Sequence, residues 1–215
     1  MKSISSLQYI TQDLPNVSHK QLAEEACAAG IKWIQLRAKD KWRSNWIEIA
    51  KEVKIVCEKN NATLIINDNV QIAKEINAHG VHLGKKDMPV AEARKFLGDD
   101  FIIGGTANTF DDILKLAEAK ADYIGLGPFR FTETKKNLSP VLGLEGYKEI
   151  MALCKEHKIN IPVVAVGGIT LNDVSALKKT GINGVAVSSY ITNSANKAEV
   201  VSGILELLLE LGSAW

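Results

Sequence analysis

Short apolar segments alternate with longer segments of helical periodicity along the whole 215-residue chain. The apolar segments are compact enough to predict strands buried on both faces. These strands are predicted at 7–11, 33–37, 63–67, 80–83, 101–106, 123–127, 162–166 and 184–188. Between them, apolar residues at three- and four-residue spacing predict helices. The helices are predicted at 19–29, 45–59, 70–78, 90–97, 111–119, 144–157, 171–179 and 197–211.

This alternation predicts a parallel sheet with right-handed crossovers. Eight strand–helix units of about 27 residues each close naturally into a (β/α)8 TIM barrel. A doubly wound open sheet is the alternative, but it usually stops at five or six strands, and no GxGxxG follows the first strand. No linker divides the chain, so we predict one barrel domain over residues 1–215. Its active site is expected at the C-terminal ends of the strands.

Composition and charge narrow the function classes. The 26 basic and 25 acidic residues give a net charge of +1, which provides no general attraction to nucleic acid or anionic membranes. No apolar run is long enough to span a membrane, and the N-terminus does not resemble a signal peptide. Three separated cysteines without a CxxC pair favour neither disulfides nor zinc. We therefore expect a cytoplasmic protein with small-molecule partners, and homo-oligomerisation remains possible.

Cationic and amide side chains follow the second predicted strand. By alternation, Gln35, Arg37 and Lys39 point to one side of that strand. Two cations and an amide donor at the mouth of a barrel suit an anion with several oxygens. A solvated basic turn is the alternative interpretation.

Carboxylates follow the next two strands. Asn67 and Asp68 end the third strand, and Asp87 follows the fourth. Each aspartate alone is typical of a turn or a helix cap. As a pair beside a cationic cluster, however, they could bind Mg²⁺ that also bridges phosphate oxygens. His82 is interpreted as a packed or hydrogen-bonded barrel histidine rather than a base.

Two later segments add hydroxyls and charged side chains. Thr106 ends the fifth strand, and the sixth opens into a long loop, 129–142, which contains Thr132, Glu133, Thr134 and Lys135. A loop of this length in a compact barrel is usually functional or mobile.

The last two strands end in glycines and serines that are typical of a phosphate site. Gly167 and Gly168 follow the seventh strand, and Ser188 and Ser189 follow the eighth. In barrels, backbone N–H groups at these two strand ends often bind phosphate. The sequence thus predicts two anion-binding centres, one suited to a pyrophosphate and one to a phosphate.

Six segments in this order and spacing resemble the thiamine-phosphate synthase (thiamine-phosphate pyrophosphorylase) family: QLRAK, IIND, VHLGKKD, GLGPFRFTETKK, VAVGGI and VSS. The resemblance implies that the chain folds as a (β/α)8 barrel and acts as a transferase. Its reaction joins 4-amino-2-methyl-5-hydroxymethylpyrimidine diphosphate to a thiazole phosphate and releases pyrophosphate by a dissociative mechanism.

The resemblance also implies roles, position by position. The pyrimidine diphosphate would be bound by Gln35, Leu36, Arg37, Ala38, Lys39, Asn67, Thr106 and Lys135. The thiazole phosphate would be bound by Thr132, Glu133, Thr134, Gly168, Ser188 and Ser189. Asp68 and Asp87 would hold one Mg²⁺, and the departing pyrophosphate would be stabilised by Arg37, Lys39, Lys135 and Thr106. Thr106 stands where the family usually has serine, and Ser188 where many relatives have a bulky aliphatic residue.

Two rival functions share this fold. A thiazole tautomerase depends on a histidine at the position of Asn108, and asparagine cannot shuttle a proton near neutral pH. A non-catalytic thiazole-phosphate-binding barrel would not need to keep Arg37, Asp68, Asp87 and Lys135 together. The sequence therefore favours the synthase.

Overall fold

Eight parallel strands form a closed barrel in the computed structural model, which describes residue 2 and residues 4–38, 43–131 and 140–210. The strands are β1 (Leu7–Ile10), β2 (Trp33–Leu36), β3 (Thr63–Asn67), β4 (Gly80–Leu83), β5 (Ile102–Ala107), β6 (Tyr123–Leu126), β7 (Val163–Val166) and β8 (Gly184–Val187). Each pairs with the next along the chain, and β8 pairs with β1 to close the barrel. The predicted (β/α)8 fold is confirmed.

Helices follow the strands and surround the barrel. They are α1 (His19–Ala28), α2 (Arg43–Lys59), α3 (Val70–Glu75), α4 (Val90–Leu97), α5 (Phe110–Glu118), α6 (Gly143–Glu156), α7 (Leu171–Lys178), α8 (Ser189–Thr192) and α9 (Lys197–Glu210). The pattern did not predict α8, because a helix of four residues is too short to show a period. Within the described ranges, no helix is long and apolar enough to cross a membrane.

Two apolar layers hold the barrel, and strand alternation assigns residues to them. Ile34 and Leu36 of β2 belong to the large core between the strands and the helices. Trp33 of the same strand belongs to a smaller cluster of six buried residues inside the barrel. Its ring packs edge-on against that of Tyr123, with 4.9 Å between the ring centroids. Because side chains alternate along a strand, Gln35 also faces the interior. The interior is therefore apolar, with polar groups toward the strand C-termini.

The helices that follow β5 and β7 begin with capping boxes. Thr109 caps α5, and its hydroxyl accepts from the Asp112 N–H while Asp112 accepts from the Thr109 N–H. Thr170 and Asp173 form the equivalent box at α7. These reciprocal bonds satisfy N–H groups that a helix start otherwise leaves unpaired. They therefore fix the loops that leave β5 and β7 toward the cavity.

The three cysteines are free and buried, as expected of small hydrophobic residues in a core. Burial raises the pKa of each thiol, that of Cys57 to about 12. A thiol must lose its proton to act as a nucleophile or a metal ligand. These side chains therefore stabilise the fold and carry no chemistry at neutral pH.

Candidate active site

An open cavity of about 800 Å³ lies at the C-terminal end of the barrel. Residues within or just after all eight strands line it, so its walls converge from every unit of the fold. This is the end of a (β/α)8 barrel where active sites are built.

Nine of the residues predicted to bind substrate or metal line this cavity: Gln35, Arg37, Asn67, Asp68, Asp87, Thr106, Gly168, Ser188 and Ser189. They come from six strand ends separated by up to about 150 positions in the chain, and the barrel brings them together. Five further predicted site residues lie outside the described residues: Lys39, Thr132, Glu133, Thr134 and Lys135.

Two predicted binding residues point away from the cavity. Leu36 is fully buried in the core between strands and helices, and Ala38 packs in the same core. The Ala38 carbonyl accepts a hydrogen bond from Trp46 Nε1 at 2.7 Å. Alternation turns these two side chains outward when Gln35 and Arg37 face inward, so the prediction that Leu36 and Ala38 bind the pyrimidine diphosphate could hold only through their main chain.

Arg37 brings a partly buried positive charge to one side of the cavity. Burial lowers the pKa of its guanidinium, and the carboxylates of Asp68 and Asp13 oppose that shift. Its main-chain N–H donates to Thr11 Oγ1 at 3.1 Å, which fixes the backbone where β2 ends. A guanidinium keeps its proton in such a setting and offers several donors to an oxyanion.

Asp68 and Asp87 bring carboxylates to the same cavity. Asp68 has a φ of +64°, and its N–H donates to the His82 carbonyl at 2.8 Å. Asp87 Oδ2 accepts from the Gly84 N–H at 2.6 Å. Among the residues described, no group of three or more His, Cys, Asp or Glu side chains is arranged so that it could hold a metal ion by itself. Two carboxylates without a full protein cage fit Mg²⁺, which usually binds one or two carboxylates, waters and substrate phosphates.

A chain of polar side chains crosses the floor of the cavity, and the sequence did not reveal it. Gln35 Nε2 donates to Gln8 Oε1 at 3.0 Å, and Gln8 Nε2 lies 3.4 Å from the Tyr123 hydroxyl. That hydroxyl lies 3.0 Å from His82 Nδ1, and His82 Nε2 lies 3.0 Å from Thr106 Oγ1. The interpretation of His82 as a hydrogen-bonded barrel histidine is confirmed. The only sequence signal was a glutamine within the apolar strand LQYI.

The direction of these bonds follows from Tyr123. Burial raises its pKa, so the phenol keeps its proton. In the His82 tautomer that carries its proton on Nε2, Nδ1 accepts from the phenol and Nε2 donates to Thr106 Oγ1. The Thr106 hydroxyl is left with its own proton to donate toward the cavity.

At the ends of β7 and β8, glycines and serines line the cavity. Gly167 and Gly168 have φ values of +107° and +66°, and Ile169 follows them. In the described part of the chain, no acceptor pairs with the N–H of Gly168 or Ile169. Ser188 and Ser189 lie at the end of the adjacent strand, β8. Backbone donors without partners beside adaptable glycines are suited to an anion such as phosphate.

Comparison with known proteins agrees with this arrangement. The thiamine monophosphate synthase family model matches residues 7–191. A thiamine-phosphate synthase of Bacteroides fragilis is 50% identical over 202 residues, which is 94% of this chain and 99% of that protein. That of Clostridium tetani is 41% identical over 193 residues, 88% of this chain and 90% of that protein. The chain belongs to the thiamine monophosphate synthase family.

The family assignment makes this chain an enzyme of the transferase kind, and thiamine-phosphate synthase function is supported by relatives and by fold. The thiamine phosphate pyrophosphorylase from Pyrococcus furiosus superposes with a TM-score of 0.83 at 28% identity, covering 96% of each chain. Within the synthase fold, Asn108 Nδ2 donates to the Gly127 carbonyl, and the Asn108 N–H donates to Asp112 Oδ2 at 2.9 Å. This side chain makes structural bonds and has no titratable proton.

Proposed function

We propose that this chain joins 4-amino-2-methyl-5-hydroxymethylpyrimidine diphosphate to a thiazole phosphate, forming thiamine phosphate and pyrophosphate. The observation that supports this most is the division of one cavity into two unlike anion sites. Arg37, Asp68 and Asp87 bring side-chain charge to one side, whereas Gly168 and Ser188 bring main chain to the other. A diphosphate with its metal suits the first side, and a phosphate monoester suits the second.

The proposed reaction breaks the bond between the methylene carbon of the pyrimidine and the diphosphate oxygen, and both electrons stay with the oxygen. Arg37 and Thr106 donate to the pyrophosphate as its negative charge grows, together with Lys39 and Lys135 as the resemblance implies. The aminopyrimidine delocalises the positive charge on the methylene carbon, and the thiazole nitrogen attacks that carbon. No protein nucleophile is required, because the two bound substrates are positioned against one another.

Asp68 and Asp87 would hold one Mg²⁺ in this proposal. When bound, the metal neutralises charge on the phosphate oxygens. Gly84 orients Asp87 through its N–H, and the backbone bond from Asp68 to His82 holds Asp68 at the end of β3. Main-chain bonds thus hold the Asp87 carboxylate and the Asp68 backbone in place.

The purified protein supplied with both substrates and Mg²⁺ is expected to form thiamine phosphate and pyrophosphate in equal amounts. Chelation of divalent metal should abolish turnover, and Mg²⁺ should restore it. Full turnover after chelation would contradict the metal role. Isomerisation of the thiazole phosphate alone, with no product from the combined substrates, would favour the tautomerase.

Tyr123→Phe is expected to lower thiamine phosphate formation by about tenfold, because His82 loses the partner that directs the Thr106 hydroxyl toward the cavity. Stability should fall by about 1–3 kcal/mol, as expected when a buried hydroxyl is removed. Urea denaturation and steady-state kinetics measure the two effects.

Tyr147→Phe is the matched control. Tyr147 is fully buried like Tyr123, but among the described residues its hydroxyl bonds main-chain atoms alone, the Leu126 carbonyl and the Val166 N–H. It should lose similar stability while the folded protein keeps its turnover. If both variants lost turnover equally, the loss in Tyr123→Phe would be explained by lower stability, and the proposed role of the Tyr123 hydroxyl would be contradicted.

A further inference from the structure

Arg130 connects the loop after β6 to the loop after β7. One guanidinium nitrogen, Nη1, donates to the Gly168 carbonyl at 2.7 Å and to Asp173 Oδ2 at 2.8 Å. The other, Nη2, donates to Asp173 Oδ1 at 2.7 Å. We call these three groups, the Arg130 side chain, the Asp173 carboxylate and the Gly168 carbonyl, the Arg130 clamp. Arg130 does not line the cavity, whereas Gly168 does.

Asp173 is held firmly enough to serve as the fixed point of the clamp. Its Oδ2 also accepts from the Thr170 N–H at 2.8 Å and from the Thr170 hydroxyl at 2.7 Å, at the start of α7. Burial raises the pKa of this carboxyl, but the bonds from Arg130 and Thr170 outweigh burial and hold the pKa below its usual range. The carboxylate is therefore charged at neutral pH, and its contribution to stability is lost only as pH falls through that lowered pKa.

The main chain of the two loops runs side by side at this point. The Phe129 N–H donates to the Val166 carbonyl at 2.9 Å, and the Arg130 N–H donates to the Gly167 carbonyl at 3.1 Å. A Cβ added to Gly167 would lie 2.8 Å from the Pro128 Cα, so the loops are in close contact. The guanidinium then reaches one residue further, to the Gly168 carbonyl. The loop after β6 thus holds three successive carbonyls, beginning with that of the last residue of β7.

The bond to the Gly168 carbonyl determines which way the next N–H points. The Gly168–Ile169 peptide is trans, so its C=O and N–H point in opposite directions. With the carbonyl held by Arg130 outside the cavity, the Ile169 N–H is directed away from Arg130. Turning this peptide over requires rotation about ψ of Gly168 and φ of Ile169, and Gly168, which has no Cβ and a φ of +66°, leaves the first of these rotations less restricted when Arg130 is absent. After such a turn, the carbonyl oxygen of the peptide would face, and repel, a bound phosphate.

We propose that Arg130 and Asp173 are positioning residues for the phosphate site. They hold the Gly168–Ile169 peptide with its N–H available to a phosphate monoester, and they do not touch the ligand. This inference rests on the proposed function for the identity of the ligand, a thiazole phosphate. The orientation of the peptide itself can be tested with inorganic phosphate, which needs no turnover.

The test is titration of the full-length protein with inorganic phosphate, followed by the amide NMR signals of Gly168 and Ile169. Arg130→Ala should raise the phosphate Kd by about tenfold or more, the loss expected for a charged hydrogen bond. Asp173→Asn should also raise it, although this change makes the protein more positive. Simple electrostatic attraction predicts opposite signs for the two variants, so a tighter Kd in Asp173→Asn would overturn the proposal.

Arg94→Ala controls for the general loss of an arginine. Like Arg130, Arg94 bonds main-chain carbonyls and an aspartate: its guanidinium donates to the carbonyls of Gly98 and Phe101 and to the Asp122 carboxylate. Arg94 does not line the cavity. The phosphate Kd of Arg94→Ala should stay within about twofold of the Kd of the unaltered protein. An equal change in Arg94→Ala and Arg130→Ala would overturn the proposal.

Kinetics provide an independent readout where the synthase assay works. Arg130→Ala should raise the KM for the thiazole phosphate by about tenfold and leave the KM for the pyrimidine diphosphate within about twofold. Arg130→Lys keeps the charge but not the planar fork, so it should resemble Arg130→Ala. Full rescue by lysine would overturn the positioning role. Absence of thiamine phosphate formation by the unaltered protein would contradict the proposed function and leave the phosphate titration as the test of the clamp.

Discussion

Arg37→Met is expected to lower the kcat for thiamine phosphate formation by about 100- to 1000-fold, the usual effect of removing one strong donor from a developing oxyanion. Arg37 is a partly buried cation that lines the cavity, and the carboxylates of Asp68 and Asp13 favour its charged form. Methionine keeps much of the unbranched apolar stem, and the bond to Thr11 is made by the main chain and survives the change. Pre-steady-state release of pyrophosphate measures the affected step directly.

Arg94→Met is the control for this prediction. It removes a guanidinium with an aspartate partner, Asp122, from a position outside the cavity. It should reduce stability and leave kcat of the folded protein unchanged. If Arg37→Met kept more than a tenth of the normal kcat, Arg37 would be a binding residue without a main part in the departure of pyrophosphate.

The barrel could be predicted closely because its strands are short and buried on both faces. Apolar runs separated by amphipathic segments define both the period and the number of units, and eight units leave few topologies to consider. The boundaries of β3 and β4 match the predicted 63–67 and 80–83. The pattern missed α8, because one helical turn has no repeat to detect.

The cavity-lining residues could be predicted where strand alternation and strand ends decide them. Arg37, Asp68, Thr106 and Gly168 follow from this rule, and the structure places them around one cavity. The same rule argues against Leu36, which entered the prediction only because a whole motif was carried over.

The polar floor and the Arg130 clamp could not be predicted, because each depends on contacts between distant segments. Gln8 and Tyr123 meet across the barrel interior, 115 residues apart in sequence. Arg130 reaches Asp173 over 43 residues, and in the sequence it looks like one more basic residue in a polar loop. Such contacts depend on strand register and on side-chain conformation, which hydrophobic periodicity does not contain.

Asp68→Asn is expected to lower kcat by about 100-fold and to raise the Mg²⁺ concentration needed for half-maximal activity by at least about tenfold. Loss of a direct carboxylate ligand should cost no less than the roughly 10- to 100-fold typical of partners that only support a metal ligand. The substitution isolates charge, because asparagine accepts the positive φ of +64° found at this position. The main-chain bond from residue 68 to the His82 carbonyl is therefore kept, and urea denaturation should show little change.

Two comparisons make the Asp68 result specific to the metal. Asp100→Asn removes an exposed carboxylate that does not line the cavity and should alter neither kcat nor the Mg²⁺ requirement. Asp87→Asn should raise the Mg²⁺ requirement as Asp68→Asn does, because the two carboxylates are proposed to share one ion. If kcat fell in Asp68→Asn while the Mg²⁺ requirement stayed normal, Asp68 would act through the neighbouring charge of Arg37, whose pKa it raises. The Mg²⁺ titration of the two aspartate variants therefore separates a metal ligand from a carboxylate that only compensates a buried guanidinium.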